Sequence, residues 1–414
     1  MKKVFHRLSA ALLPLCLGLQ IALGFFASSM PEQFHVVEGS ELKLEGMLNI
    51  SAERLGRRMD AASRASVMTA GGSYTASLKL FGIFPIKDVD VKVIDSQMVV
   101  PCGTPFGIKM FTDGVLVVGT SDVDTATGAY NPAKSAGIKL GDVIESIDGE
   151  NVSTKEQVAD RIENASGKTM TFRIRRDNIT FDVRFTPVKS ITENRYKAGI
   201  WVRDSSAGIG TLTFYVPATG IYGGLGHPVC DVDTGETLPI SSGEIVPACI
   251  YGIVKGVSGD PGELRGGFED GELGHLHING ETGVYGKLSQ APVQGGAVEV
   301  AMKQQVKSGY AQVYCTVDGT EPKLYDIHID QVRYNDASPT HNMVVTITDE
   351  ELLSATGGIV QGMSGSPILQ DGKLVGAITH VFVNNPEKGY AIFAENMLKT
   401  AGALNDKLSS EPAA

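Results

Sequence analysis

Cysteine, tryptophan and basic charge are all scarce in this sequence. The five cysteines are Cys16, Cys102, Cys230, Cys249 and Cys315, and none forms a CxxC pair, which argues against a zinc ribbon. They do not resemble the dense disulfide framework of a small secreted domain either. Acidic residues outnumber basic ones, for a formal net charge of −11. That balance argues against a protein held on nucleic acid by a basic surface. No internal repeat and no low-complexity tract is evident. What the chain does have is an ordinary globular mixture, 42% apolar and 20% charged, with 49 glycines that point to tight turns and short strands. Its 414 residues exceed what one hydrophobic core usually organises, so two or three domains are expected.

At the N-terminus, Lys2, Lys3, His6 and Arg7 precede an uncharged stretch from Leu8 to Met30. A helix of about 20 residues crosses the hydrocarbon core of a bilayer. Ala27-Ser28-Ser29 also offers small residues for signal cleavage, but the apolar run is longer than a usual signal core, so a membrane anchor is favoured. On either reading the basic end stays inside and the rest of the chain lies outside the cytoplasm. Residues 31–101 form a mixed N-terminal region, partly strand. Arg54, Arg57, Arg58 and Arg64 crowd a polar stretch, and Thr75–Leu80 and Val89–Val93 alternate with the period of strands. The polar stretch from Ala52 to Gly72 is expected to be exposed and open to cleavage.

A compact module follows, placed at residues 102–188. Ala133 to Ile144 reads as a short helix closed by Gly137 and turned into a strand at Gly141, and Asp148-Gly149 makes the next tight turn. This run resembles PDZ domains, which bind an extended peptide by strand addition and hold its carboxylate on backbone N–H groups. Pro105-Phe106-Gly107-Ile108 resembles the carboxylate-binding loop. In that reading Gly107 lets the ligand backbone approach, and Phe106 and Ile108 line the side-chain pocket.

Residues 189–414 are rich in strands and glycine, as in a β-barrel or paired barrels, with a closing helix from Glu395 to Leu404. The sharpest local signal is Gly362-Met363-Ser364-Gly365-Ser366-Pro367, followed by a hairpin turning at Asp371-Gly372. A strained glycine turn can present the Ser364 hydroxyl to a cleft and aim the N–H groups of Gly362 and Ser364 at one oxyanion site. The pattern resembles the nucleophile loop of chymotrypsin-like peptidases, with Ser366 where glycine is usual. His227, in the sharp turn Gly224-Leu225-Gly226-His227-Pro228, is the candidate base. His275 and His277 could share a strand face, but no third metal ligand accompanies them, and His328, His341 and His380 read as ordinary strand or loop residues. For the acid, Asp231, Asp233, Asp260, Asp270, Asp326, Asp330 and Asp349 all fall in the order His, Asp, Ser, and spacing does not choose among them.

Taken whole, the chain resembles the sporulation stage IV protein B peptidases of endospore-forming bacteria. The resemblance rests on the membrane segment, the PDZ run, Gly-Leu-Gly-His-Pro and Gly-Met-Ser-Gly-Ser-Pro in that order. It implies that Ser364 is the nucleophile, His227 the base and Asp349 the acid, although Asp349 lies only 15 residues before Ser364. It also implies an exported endopeptidase without cofactor or metal. Such an enzyme is made in the forespore, is anchored at the inner forespore membrane and acts in the intermembrane space. It cleaves itself and then a membrane-bound regulator of the metalloprotease that activates sigma-K. The expected fold is mainly β: a PDZ domain (α+β) followed by a chymotrypsin-like double β-barrel. The competing reading is a catalytically idle PDZ adaptor or envelope binding protein.

Overall fold

The computed structural model describes residues 2–44, 50–54, 69–177, 179–292, 295–335 and 337–410. A helix, Lys2–Ser29, leads into a four-stranded sheet in the spatial order Gln33–Val37, Phe84–Ile94, Ser73–Leu80, Ile50–Arg54. The alternation seen in the sequence does its expected work: Leu78, Val89, Val91 and Val93 turn inward onto Phe34. This sheet is tied to the C-terminal helix, Ala394–Ser410. His35 Nδ1 lies 2.7 Å from Glu395 Oε1, and Gln304 Nε2 donates to the His35 carbonyl at 2.6 Å. Most of the arginine-rich stretch, residues 55–68, lies outside the described residues.

Two six-stranded barrels form the body of the chain. In the first, Pro105–Thr120, Ile240–Val254, Gly274–Gly280, Gly283–Leu288, Ile221–Gly224 and Ile200–Tyr215 pair in that order, and the last pairs back onto the first. In the second, Gly309–Cys315, Lys323–Val332, Met343–Ile347, Asn385–Phe393, Lys373–Phe382 and Pro367–Gln370 close on themselves. The expected Asp371-Gly372 turn is present, with both residues at positive φ (51° and 78°) as a two-residue hairpin requires. The helix Ala394–Ser410 covers the seam between the barrels, where Met397 and Leu404 pack with Phe214, Ile221, Tyr285, Leu374 and Ile392. Cys102, Cys230, Cys249 and Cys315 are free thiols.

The PDZ module is built as its sequence suggests. Its sheet places Ile179–Phe185, Met170–Arg176 and Val143–Ile147 beside residues 115–120, and these beside residues 200–203. Thr154 caps the helix Lys155–Asn164 by accepting from the Gln157 N–H, and Val158 and Ile162, one turn apart, enter the core with Ile144, Phe172 and Ile174.

The boundary at residues 188 and 189 needs correcting. Two strands, Pro105–Thr120 and Ile200–Tyr215, each run through both units. Their inner portions, 105–112 and 205–215, are staves of the first barrel. Their other ends, 115–120 and 200–203, belong to the PDZ sheet. The module is therefore inserted into the first barrel.

The expected peptide loop is corrected by the same pairing. Gly107 lies opposite Ile209 on one side and Val246 on the other, so strand addition beside Phe106–Phe111 has no free edge to use. Phe106 is fully buried and Ile108 nearly so, in the core of the first barrel. A Cβ at Gly107 would lie 2.5 Å from the Phe268 ring and 2.7 Å from a Val246 methyl. Glycine there serves close packing of the barrel wall. A bulky residue at this position disturbs the fold before any ligand is involved.

Candidate active site

The loop carrying Ser364 lies between the barrels, and its glycines are required by shape. Gly362 and Gly365 adopt φ of 98° and 95°. A Cβ at Gly365 would sit 2.0 Å from the Thr211 carbonyl oxygen and 2.5 Å from Leu225 N. Strand Ile200–Tyr215 of the first barrel grips this loop. Thr211 N donates to the Ser364 carbonyl at 3.0 Å, Thr211 Oγ1 to the Gly362 carbonyl at 2.8 Å, and Thr213 Oγ1 to the Gly365 carbonyl at 2.7 Å. The hairpin behind it completes the grip, with Gly365 N donating to Ile378 O and Ile378 N to Ser366 O. Ser366 is buried, its hydroxyl turned inward to the Met363 carbonyl at 2.7 Å. Ser364 is half-buried, with its hydroxyl donating to Thr379 O at 2.8 Å. The N–H groups of Gly362 and Ser364 donate to no other group of the described chain, so both stay free for an incoming oxygen.

His227 is delivered from the first barrel by the turn that ends Ile221–Gly224. Leu225 and Gly226 there take positive φ (65° and 73°), which reverses the chain sharply. His227 Nδ1 lies 2.8 Å from the Pro228 carbonyl oxygen. A carbonyl only accepts, so Nδ1 carries the proton and Nε2 presents a lone pair. Burial lowers the pKa of His227 from its ordinary value, and the bond to Pro228 opposes that shift in part. The site thus holds a hydroxyl, a neutral imidazole with its basic nitrogen free, and two unused amides on one glycine loop. No hydrogen bond yet joins Ser364 to His227.

Residues 194–398 match the SpoIVB peptidase S55 family, and residues 130–176 match the PDZ domain. The chain belongs to the SpoIVB peptidase family. It is accordingly a serine peptidase carrying a PDZ domain. Among curated proteins nothing matches. Among solved structures the PDZ domain of an SdrC-like protein from Listeria monocytogenes is similar at 19% identity, over 22% of this chain and 87% of that one, with a TM-score of 0.18.

The peptidase does not bring Asp349 to His227. Asp349 is the N-cap of the helix Glu350–Thr356: its Oδ1 accepts from Leu352 N at 3.0 Å and its Oδ2 from Asp326 N at 3.3 Å. The sequence Thr348-Asp349-Glu350-Glu351 is a helix start, and capping is what holds that carboxylate. Of the other candidate acids, Asp270 is exposed, and the rest are committed elsewhere. Asp231 and Asp233 pair with Arg203, Asp260 accepts from Gly262 N, Asp326 accepts from Tyr310 and Gln312, and Asp330 binds Lys388, Thr346 and His328. Instead, His380 lies against His227, with ring centroids 4.8 Å apart, and His341 lies 5.3 Å beyond it. The sequence pattern alone marks both as ordinary strand or loop residues. The available signal was the position of His380 on the hairpin that follows Ser364, the wall of the cleft.

The PDZ sheet is open at its edge formed by residues 200–203. Residues 200–203 pair with the strand Pro105–Thr120 on one side only, and their other side, with the helix Lys155–Asn164, borders a groove of about 460 Å³. Val158, Ala159, Ile162, Ile200 and Trp201 line it, together with Tyr196 to Gly199.

These contacts assign Asp349 a capping role. Asn caps a helix about as well as Asp, so Asp349→Asn is expected to keep both melting temperature and turnover close to wild type. Asp349→Ala is expected to cost about 1 kcal/mol of stability. Thermal unfolding and kcat measured side by side check this. A large loss of kcat in Asp349→Asn at unchanged stability would return the carboxylate to the catalytic site.

Proposed function

We propose that Ser364 is the nucleophile and His227 the general base of this peptidase, and that the open PDZ groove captures an extended segment of its protein substrate. The glycine loop carries the first part of the reading, because it is pinned across both barrels while leaving the Gly362 and Ser364 amides free. Ser364 Oγ turns from the Thr379 carbonyl toward His227 and attacks the scissile carbonyl carbon. Its proton passes to His227 Nε2, and the carbonyl π pair moves onto oxygen between the two amides. Collapse of this intermediate breaks the C–N bond, with His227 returning the proton to the leaving amine. Water then hydrolyses the acyl-enzyme by the same steps.

Peptide capture by strand addition needs an unpaired strand edge with side-chain pockets beside it. Residues 200–203 and the groove along the helix Lys155–Asn164 offer both. The family resemblance supports the wider role. In this reading the enzyme is exported, anchored at the inner forespore membrane and active in the intermembrane space. It cleaves itself and then a membrane-bound regulator of the protease that activates sigma-K. The anchor reading rests on the uncharged stretch Leu8–Met30 behind its basic flank. Among the described residues, no helix is long and apolar enough to cross a membrane. Self-cleavage is placed within residues 52–72, of which residues 55–68 lie outside the described structure.

Ser364→Ala and His227→Ala are each expected to lower kcat by about 10⁴-fold or more, and the double variant by no more than either, since such residues act as a unit. In wild type, the lowered pKa of buried His227 keeps the base neutral into mild acid. The acid limb of kcat/KM is therefore expected below the ordinary histidine value of about 6.5. Full activity in Ser364→Ala, or a limb above that value, would contradict the assignment.

Ala159 is exposed on the groove side of the PDZ helix, away from the core. Ala159→Arg is expected to leave the cleavage of a short free peptide unchanged and to weaken cleavage of the membrane-bound protein substrate. Equal rates on the protein substrate for variant and wild type would remove the capture role.

A further inference from the structure

We infer that the groove between Tyr251, Leu264 and Gly362 is a subsite for a bulky apolar side chain flanking the scissile bond of the substrate. The inference rests on reading Ser364 as the nucleophile, since the Gly362 amide ties the groove to the reaction. Residues 240–247 of the strand Ile240–Val254 pair within the first barrel, and residues 248–254 form a hairpin with the strand Glu263–Phe268. This hairpin crosses to the second barrel and is bonded there at several points. Leu264 N donates to Gln361 O at 2.8 Å, and Gln361 N to Gly262 O at 3.1 Å, directly before the serine loop. Gly256 N donates to Thr356 O at 2.8 Å, Gly259 N to Val383 O at 2.9 Å and Ser258 Oγ to Asn384 O at 3.0 Å. Between this arm and the serine loop lies a groove of about 350 Å³, with Gly362 in its wall. The backbone bonds on both sides set its shape in advance of any ligand.

The chemistry of the wall decides what the groove takes. Ile209 and Leu264 are half-buried and line it, and Leu264 is backed by the core of the second barrel. A Cβ at Gly362 would lie 3.1 Å from Leu264 Cβ, so the leucine sits directly against the oxyanion loop. Gly266 carries no side chain over the Ile209 methyl, which a Cβ there would approach to 2.8 Å. Tyr251 stands beside them 71% exposed, a large apolar surface left in water. The charged members of the wall answer each other: Arg265 Nε donates to Glu263 Oε1 at 2.8 Å, so the pair presents little net charge to a ligand. A substrate carbonyl oxygen seated at the Gly362 and Ser364 amides puts its own residue, or the next, at the mouth of this groove. A leucine- or phenylalanine-sized side chain entering it takes its own apolar surface and that of Tyr251 out of water. An alanine leaves most of that surface exposed.

The test digests a randomised peptide library with the full chain and with its variants, and maps the cut sites by mass spectrometry. Matched peptides that differ only at the selected position, Leu or Phe against Ala, then give a ratio of kcat/KM values. Wild type is expected to favour the large apolar residue by about tenfold or more at one position flanking the bond. Tyr251→Ala is expected to reduce that ratio to about threefold or less, through loss on the large residue. Tyr251→Phe, which keeps the ring, and Arg265→Glu are each expected to keep the ratio. The inference is overturned if wild type shows no preference for large apolar residues beside the cut, or if folded Tyr251→Ala keeps the wild-type ratio. It is also overturned if Tyr251→Phe loses as much as Tyr251→Ala, or if Arg265→Glu exchanges a preference for acidic residues with one for basic residues. Should Tyr251→Ala not fold, Tyr251→Thr, β-branched and suited to a strand, decides by the same ratio. Cleavage that persists in Ser364→Ala would remove the reading of the site itself. A flat profile whose cuts all vanish in Ser364→Ala would remove the subsite alone.

Discussion

Everything at the site depends on three hydrogen bonds that strand Ile200–Tyr215 gives to the serine loop. Thr211 and Thr213 satisfy the carbonyls of Gly362, Ser364 and Gly365. With its carbonyls bound, the loop holds the positive φ values that leave two amides free and one hydroxyl at the surface of the cleft. Buried carbonyls left unpaired would cost about 1–3 kcal/mol each. The loop shape is thus a property of the contact between barrels. Gly365 shows how close that contact is, since any side chain there would overlap the Thr211 carbonyl.

The same strand gives the molecule its unusual connection. Its first residues, 200–203, form an open edge of the PDZ sheet, and its later ones grip the serine loop. Strand Pro105–Thr120 runs alongside and is likewise shared. A ligand strand added at residues 200–203 would bond to the chain that ends at the catalytic loop. Insertion of the PDZ module into a barrel wall therefore joins the open groove and the serine loop through one continuous strand, where a module on a flexible linker would separate them.

The sequence was most legible where structure is local. The Asp148-Gly149 and Asp371-Gly372 turns and the Gly-x-Ser-Gly loop are each set by residues within a few positions of one another, and each is where its pattern places it. His227 was legible because Gly226 and Pro228 mark a rigid turn. What could not be read was non-local. Phe106-Gly107-Ile108 looks like a ligand loop until Ile209 and Val246 are seen to pair on its two sides, more than 100 residues away. Asp349 fits the order of a triad, yet its own neighbours make it a helix cap. His380 gave no motif at all, because what places it beside His227 is the packing of one barrel on the other.

The central claim is that this inter-barrel contact activates Ser364 and no other serine. Labelling the folded full chain with a serine-directed fluorophosphonate, followed by peptide mapping, tests it most directly. The account predicts a single adduct on Ser364, within Gly362-Met363-Ser364-Gly365-Ser366-Pro367. An adduct on Ser366 or on a serine outside this loop, or no adduct on the folded protein, would contradict it.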